Sequence, residues 1–288
     1  MGIATILFPA GTAAPSSAVL RRVRAAMDRD GAVAFDGLFP MPLLRRIRAA
    51  VDRRLEKGEL REKGLVRDVA GRYAAVVPFE GPFLDPRFYA NPRVLAMLDG
   101  LLGPQYCIGS LETVVAEPGA LRQHQHIDGP VRFDRVVGGR RRPPARDLAG
   151  LPPYALTLCV PLRDMDDDNG PTVIWPGSHR LALRPRPPGE REVRRRFPEV
   201  RMTGPFGRAY FFDYRVYHGG APNLTPEPRP ALMFVFTRSW FRDPNLNEVR
   251  PRLLISPRDL ARVPEPRRGL FMLAPAARRE LWGPSRRM

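Results

Sequence analysis

Lysine is nearly absent from this chain, histidine and cysteine are scarce, and no apolar run is long enough to cross a bilayer. Of 47 basic residues only Lys57 and Lys63 are lysines, and with 30 acidic residues the formal charge is +17. Such a charge ordinarily raises nucleic acid or an acidic surface as a partner. Here the arginine-for-lysine skew reads as a G+C-rich coding bias. The runs Arg140–Arg142 and Arg194–Arg196 stand among Pro and Gly without the interleaved aromatics of a single-strand platform. They are expected to be solvated loops, with no specific nucleic-acid partner. The two cysteines, Cys107 and Cys159, each lie inside an apolar run and are expected as small buried residues, not a disulfide, which fits a cytoplasmic protein. The stretch MGIATILFPAG has no basic leader and too short an apolar run for a span, so neither secretion nor membrane insertion is expected. Ile6 stands where a myristoylation signal needs Ser or Thr.

Four histidines occur, and three fall where a mononuclear metal site would need them: His124 and His126 in QHQHID, and His218 in VYHGG. On an extended strand residues two apart share a face, so His126 and Asp128 could reach one ion together. His218 would add a third ligand from another strand. Two imidazoles and one carboxylate leave the opposite coordination positions open, which suits a non-heme Fe(II) that must also hold a cosubstrate and O2. Beyond His218 stands Arg229, whose guanidinium fork suits a bidentate grip on a carboxylate. The turn APNLTPEPRP would return the chain beside the metal on an adjacent strand.

The chain opens with helical patterns. Ser16 or Ser17 can cap a helix carrying Val19, Val23 and Met27 on one face, and Gly31 ends it. AVAFDGLF reads as a strand, Pro42 opens a second helix, and NPRVLAMLDGLLG (91–103) a third. From Gln105 the texture changes to short β-rich runs, YCIGSLETVVAEP, YALTLCVPLRDM, PTVIWP, GRAYFFDYRVYH and RPALMFVFTRSWF, separated by Pro, Gly and Asp, which reads as a sandwich or barrel. Two Arg- and Pro-rich stretches, 130–153 and 181–200, are long enough to act as lids.

PGALRQHQHIDG (118–129), NGPTVIWPGSHR (169–180) and YFFDYRVYHGGAPNLTPEPRPALMFVF (210–236) resemble, in order and spacing, the motif blocks of the phytanoyl-CoA dioxygenase family of Fe(II)/2-oxoglutarate-dependent oxygenases. The resemblance implies a mainly β fold with flanking helices, a double-stranded β-helix (jelly-roll, cupin-like) barrel preceded by N-terminal helices. It implies one domain over 1–288: a mostly helical part to 104, a barrel core at 105–245 and a C-terminal extension from 246. It implies iron ligands His126, Asp128 and His218, with Arg229, Gln123 and Thr172 on 2-oxoglutarate. The activity implied couples decarboxylation of 2-oxoglutarate to succinate with oxidation by O2, most simply hydroxylation, of a small organic substrate, plausibly in secondary metabolism. Asp128 argues against halogenation, since family halogenases carry a small residue there.

Arg122, Phe133, Tyr217 and Trp240 flank the motifs and are candidates to line the substrate pocket. His124 is expected as a second-layer or pocket residue, and His179 as a structural hydrogen-bonding residue. The cluster Asp164, Asp166, Asp167, Asp168 fails as an EF-hand loop, because Asn169 and Trp175 stand where Gly and Glu are required. Asn169-Gly170 reads as a tight turn. Competing readings are a metal-dependent isomerase or a non-catalytic binding module on the same barrel. Arg229 with Thr172 and the complete ligand set favour the oxygenase.

Overall fold

The computed structural model describes residues 2–9, 11, 14–63, 65–66, 69–128, 151–181, 188–241 and 252–276. Eleven strands are found there: β1 (Thr5–Leu7), β2 (Ala32–Asp36), β3 (Leu65–Val66), β4 (Arg72–Val76), β5 (Tyr106–Ala116), β6 (Ala155–Pro161), β7 (Thr172–Ile174), β8 (Val200–Arg201), β9 (Ala209–Asp213), β10 (His218–Gly220) and β11 (Arg229–Arg238). Eight form one sheet in the order β1-β2-β9-β6-β11-β5-β4-β3, and three form a second in the order β10-β7-β8. Every pairing is antiparallel except β1 with β2.

Strand alternation sorts the core into two layers. On one face of the large sheet Val33, Phe35, Leu156, Leu158, Val160, Phe211, Leu232, Phe234 and Phe236 pack against helices. Those helices are α1 (Ser17–Asp30), α2 (Met41–Glu56) and α5 (Pro92–Leu102), contributing Met27, Ile47 and Leu98 among others. On the other face Ala32, Ala34, Cys159, Tyr210, Phe212 and Ala231 meet Ile174, Met165, Met202 and Val216 from the side of the small sheet. With both faces covered, β6 is buried at all seven positions, which is why ALTLCVP reads as an unbroken apolar run. This is the jelly-roll arrangement, with that second apolar layer between its two sheets.

The helix starts follow their caps. The Ser16 side chain accepts from the Val19 N–H at 3.4 Å, and Gly31 closes α1 in the left-handed region at φ +70°. Pro42 lies in the first turn of α2, and Asn91 caps α5. Helices make up most of the described residues to 104, with the short strands β1, β3 and β4 beside the expected β2. Two expectations need correction. GRAYFFDYRVYH is not one strand but two, β9 and β10, in different sheets, broken where the Val216 N–H returns to the Asp213 carbonyl at 2.9 Å. The H-x-D segment is not a regular strand: it is irregular from Leu121 to Asp128, with a single bridge at His126. Most of the expected lid 130–153, part of 181–200, and much of the C-terminal extension lie outside the described residues. The described part of that extension packs inward through Leu253, Leu260, Val263 and Phe271. Both cysteines are free and buried, and among the described residues no helix is long and apolar enough to cross a membrane.

Phe234 sits at the centre of the helix-facing layer, fully buried, with ring centroids of Phe236, Phe88 and Phe79 at 4.3, 5.3 and 5.8 Å. Phe234→Ala is expected to cost about 3–5 kcal/mol, cavity included. Urea unfolding followed by circular dichroism measures it; a loss below about 1 kcal/mol would mean that the neighbouring rings collapse into the gap.

Candidate metal centre

Reciprocal backbone hydrogen bonds, His126 N–H to His218 carbonyl at 2.9 Å and the reverse at 2.8 Å, clip the irregular H-x-D segment onto β10. The His126 and His218 rings lie 4.3 Å apart by centroid, and His218 Nε2 is 3.5 Å from Asp128 Oδ1. One ligand atom from each of His126, Asp128 and His218 falls within 4.8 Å of the others. The same pattern orients both imidazoles. His126 Nδ1 is 3.0 Å from the His124 carbonyl, and His218 Nδ1 is 3.0 Å from the Val216 carbonyl. A carbonyl can only accept, so each Nδ1 carries the proton and each Nε2 keeps its lone pair for a metal. Burial, and then the neighbouring His218, push the His126 pKa down to about 4, so the ring is neutral near pH 7. Asp128 is held by its N–H on the Tyr214 carbonyl at 3.1 Å and by the Thr157 hydroxyl, which donates to Oδ2 at 3.4 Å. The Phe212 ring stands 5.1 Å from that of His218 and screens the inner side.

A second polar group lies deeper between the sheets. Arg229 is 1% exposed, its Nη2 donating to the Gly170 carbonyl, while Nε and Nη1 are buried without a partner. It does not pair with Glu227. Nor is β11 an H-bonded neighbour of β10, as the sequence suggested: it lies in the large sheet, and Arg229 approaches from across the barrel. Burial lowers its pKa to about 10. Thr172 is buried on β7 opposite Gly220, and the Gln123 N–H donates to the Gly220 carbonyl at 2.9 Å, so both stand beside the stretch that follows His218.

The other sequence candidates are not brought together here. Tyr217 alternates away from His218, packing with Trp175 and Val193 and donating to the Pro188 carbonyl at 3.3 Å. Arg122 is half-buried in an ion pair with Glu199 at 2.5 Å. Trp240 is 57% exposed against Phe241, and Phe133 lies outside the described residues. His124 stacks toward His126, centroids 5.3 Å apart, and contributes its carbonyl to the orientation of that ring. His179 is buried, outside the ligand group, where desolvation lowers its pKa. The acidic cluster closes on itself: Asp166 Oδ1 accepts from the Asp168 and Asn169 N–H groups at 2.9 Å each, before Gly170 at φ +75°. Sequence reading missed Thr157 and another buried arginine, Arg72. Neither sits in a motif, and only strand register brings them inward.

The family described as phytanoyl-CoA dioxygenase (PhyH) matches residues 27–231. The ectoine dioxygenase of Nocardia farcinica is 32% identical over 109 residues, 30% of this chain and 37% of that protein. That of Halomonas elongata is 28% identical over 138 residues, 40% of this chain and 41% of that protein. These matches therefore span well under half of the relatives' length. Among solved structures, EctD from S. alaskensis superposes with a TM-score of 0.60 at 24% identity, covering 88% of this chain and 87% of that one. The epimerase SnoN, solved with Fe3+, alpha ketoglutarate and nogalamycin RO, gives a TM-score of 0.60 at 20% identity, covering 84% and 97%. Those likenesses establish the jelly-roll fold. With the family match running through most of the chain, from α1 to the start of β11, this protein belongs to the phytanoyl-CoA dioxygenase family.

Proposed function

We propose that the protein is an Fe(II)- and 2-oxoglutarate-dependent dioxygenase that hydroxylates a small organic substrate. The observation that carries this reading is the ligand group His126, Asp128 and His218, with both Nδ1 protons tied to backbone carbonyls. Two imidazole nitrogens and one carboxylate fit Fe(II) better than a closed structural zinc site, which takes four protein ligands. The buried, unpartnered Nε and Nη1 of Arg229 fit the distal carboxylate of a keto acid.

Iron(II) with O2 and 2-oxoglutarate supplies the oxidising chemistry, in which one oxygen atom enters succinate as CO2 leaves and the other enters the substrate. The protein's part is positional. His126, Asp128 and His218 hold the metal; Arg229 orients the cosubstrate from the opposite sheet; Thr172 and Gln123 stand beside it. The His124 and Val216 carbonyls hold the imidazole planes, and Phe212 keeps water from the inner side of His218. The free thiols Cys107 and Cys159 support a cytoplasmic protein. Much of the basic charge is spread over surface ion pairs such as Arg194–Glu190 and Arg196–Glu192, which supports a small-molecule substrate and no specific nucleic-acid partner.

Anaerobic Fe(II) is expected to bind one per chain, and added 2-oxoglutarate to give a weak visible charge-transfer band. His218→Ala should abolish both. Full iron occupancy with the band intact in that variant would remove His218 from the ligand set. Arg229→Ala should weaken 2-oxoglutarate tens-fold or more with iron retained, because a charge-assisted bidentate contact in a shielded site contributes about 2–5 kcal/mol; an unchanged affinity would assign the carboxylate to another residue. Asp128 fills the position that halogenating relatives leave for chloride, so turnover in chloride buffer should yield no chlorinated product by mass spectrometry, and its appearance would take Asp128 out of the ligand set.

A further inference from the structure

We propose that Arg252, held in place by Glu112, is a substrate-binding residue that grips an anionic group, a carboxylate or a phosphate ester, of the molecule to be oxidised. This rests on the function proposed above and names the substrate class of that site. Strand register sets the wall of the large sheet that faces the metal. Thr157, whose hydroxyl donates to Asp128 at 3.4 Å, pairs with Val235, and Val235 with Ser110. In the next inward row Cys159 pairs with Met233, Met233 with Glu112, and Glu112 with Val76. In-register neighbours project from one face, and Cys159 and Met233 belong to the apolar layer between the sheets, so Glu112 points inward as well. This wall is covered unevenly. Met233, Val114 and Val76, which surround Glu112, are half-buried, whereas β6 is buried throughout.

Arg252 reaches this wall from the C-terminal extension. Its carbonyl accepts from the Leu111 N–H at 3.3 Å, and Leu253 turns into the helix-facing core. Alternation then sends Arg252 to the other face, where its Nη1 lies 3.5 Å from Glu112 Oε1. That contact is longer than the roughly 2.7–2.9 Å of a charge-assisted hydrogen bond, so it anchors the guanidinium by charge and leaves its fork for a ligand. The pair is unequal in exposure, 14% for the Arg252 side chain against 7% for Glu112, and no Arg252 nitrogen is shut in without a partner. A cation anchored on one side and accessible on the other receives an anion. Arg72 and Arg229, buried further along the same wall, add positive charge that disfavours a cationic substrate and leaves Glu112 the part of holding Arg252. Two strand spacings and one two-residue step separate Glu112 from Thr157, about 12 Å in the plane of the sheet. The anionic group of the substrate therefore lies on the order of 10 Å from the metal, with Val235 and Met233 along its apolar path.

Calorimetry on protein loaded with Mn(II) and 2-oxoglutarate tests this with octanoate, octyl phosphate, octylamine and 1-octanol, probes of one chain length that differ in head group. Wild type should bind at least one of the two anions about tenfold or more tighter than the amine and the alcohol. Tighter octanoate assigns a carboxylic acid as substrate, and tighter octyl phosphate a phosphate ester. Arg252→Gln should bring all four within about twofold, and Arg252→Lys should keep the preference for the anion. Glu112→Gln should lower that preference several-fold while 2-oxoglutarate binds as in wild type. Should Arg252→Gln not fold, Arg252→Lys and Glu112→Gln carry the comparison. No preference for an anion in wild type, or a preference that survives Arg252→Gln or Glu112→Gln undiminished, overturns the assignment. Weakened 2-oxoglutarate in Glu112→Gln does so too, since it would mark a structural pair. Iron-loaded wild type that gives no charge-transfer band with 2-oxoglutarate overturns the functional reading instead, and the inference with it.

Discussion

Two backbone hydrogen bonds between His126 and His218 are the constraint on which the rest of the centre depends. The H-x-D segment has no ladder of its own, so its place is fixed by this reciprocal pair together with the Gln123 N–H on Gly220, the Asp128 N–H on Tyr214 and the Thr157 hydroxyl on the Asp128 carboxylate. Because the bridge joins the two histidines directly, their rings are set 4.3 Å apart and tilted by 54° without reference to a regular strand. Each ring is then locked by a carbonyl two residues upstream, His124 for His126 and Val216 for His218. A contact so local needs little of the surrounding fold, which explains how a segment with one bridge can hold a ligand.

The surrounding fold supplies rigidity at the turn before His218. Asp213 and Arg215 form a buried bidentate pair at 2.8 and 2.6 Å, and Arg215 Nη1 donates to the Leu151 carbonyl at 2.7 Å. Removing either partner of a buried pair strands the other, so the turn is bistable only at high cost. The same turn receives Asp128 through the Tyr214 carbonyl, and the Tyr214 N–H donates to Ala155 at 3.2 Å. Chain entering from Asp128 and chain returning at Leu151 are thus both tied to one turn, immediately before the third ligand.

How much of this was readable depended on whether a role lives in a motif or in register. The convergence of His126, Asp128 and His218 was legible because metal chemistry demands particular residue types and histidine is rare enough here that clustered positions stand out. Runs such as ALTLCVP, buried at every position, made a sandwich or barrel legible, and the motif blocks' resemblance to the family narrowed it to a jelly roll. Arg72 was not legible: it is one arginine among a great many, and its inward direction follows only from standing opposite Ala116, a pairing that no local pattern encodes. Tyr217 was misplaced for a reason strand geometry could have supplied. With His218 facing the site, period-two alternation turns its neighbour outward.

The interior is unusual in the sign of its charge. Small residues surround the two arginines: Ala116 stands between them on β5, and Gly170 and Gly220 face them from the other side. A Cβ at Gly170 would press on Ala116, the Ala221 carbonyl and Asn223 at 3.2 Å each, so the backbone itself comes close enough to offer its carbonyls to the guanidiniums. Those carbonyls hold the arginines without neutralising them. Among the described residues no carboxylate pairs with either guanidinium, so this part of the interior carries a buried positive charge that a bound anion would offset.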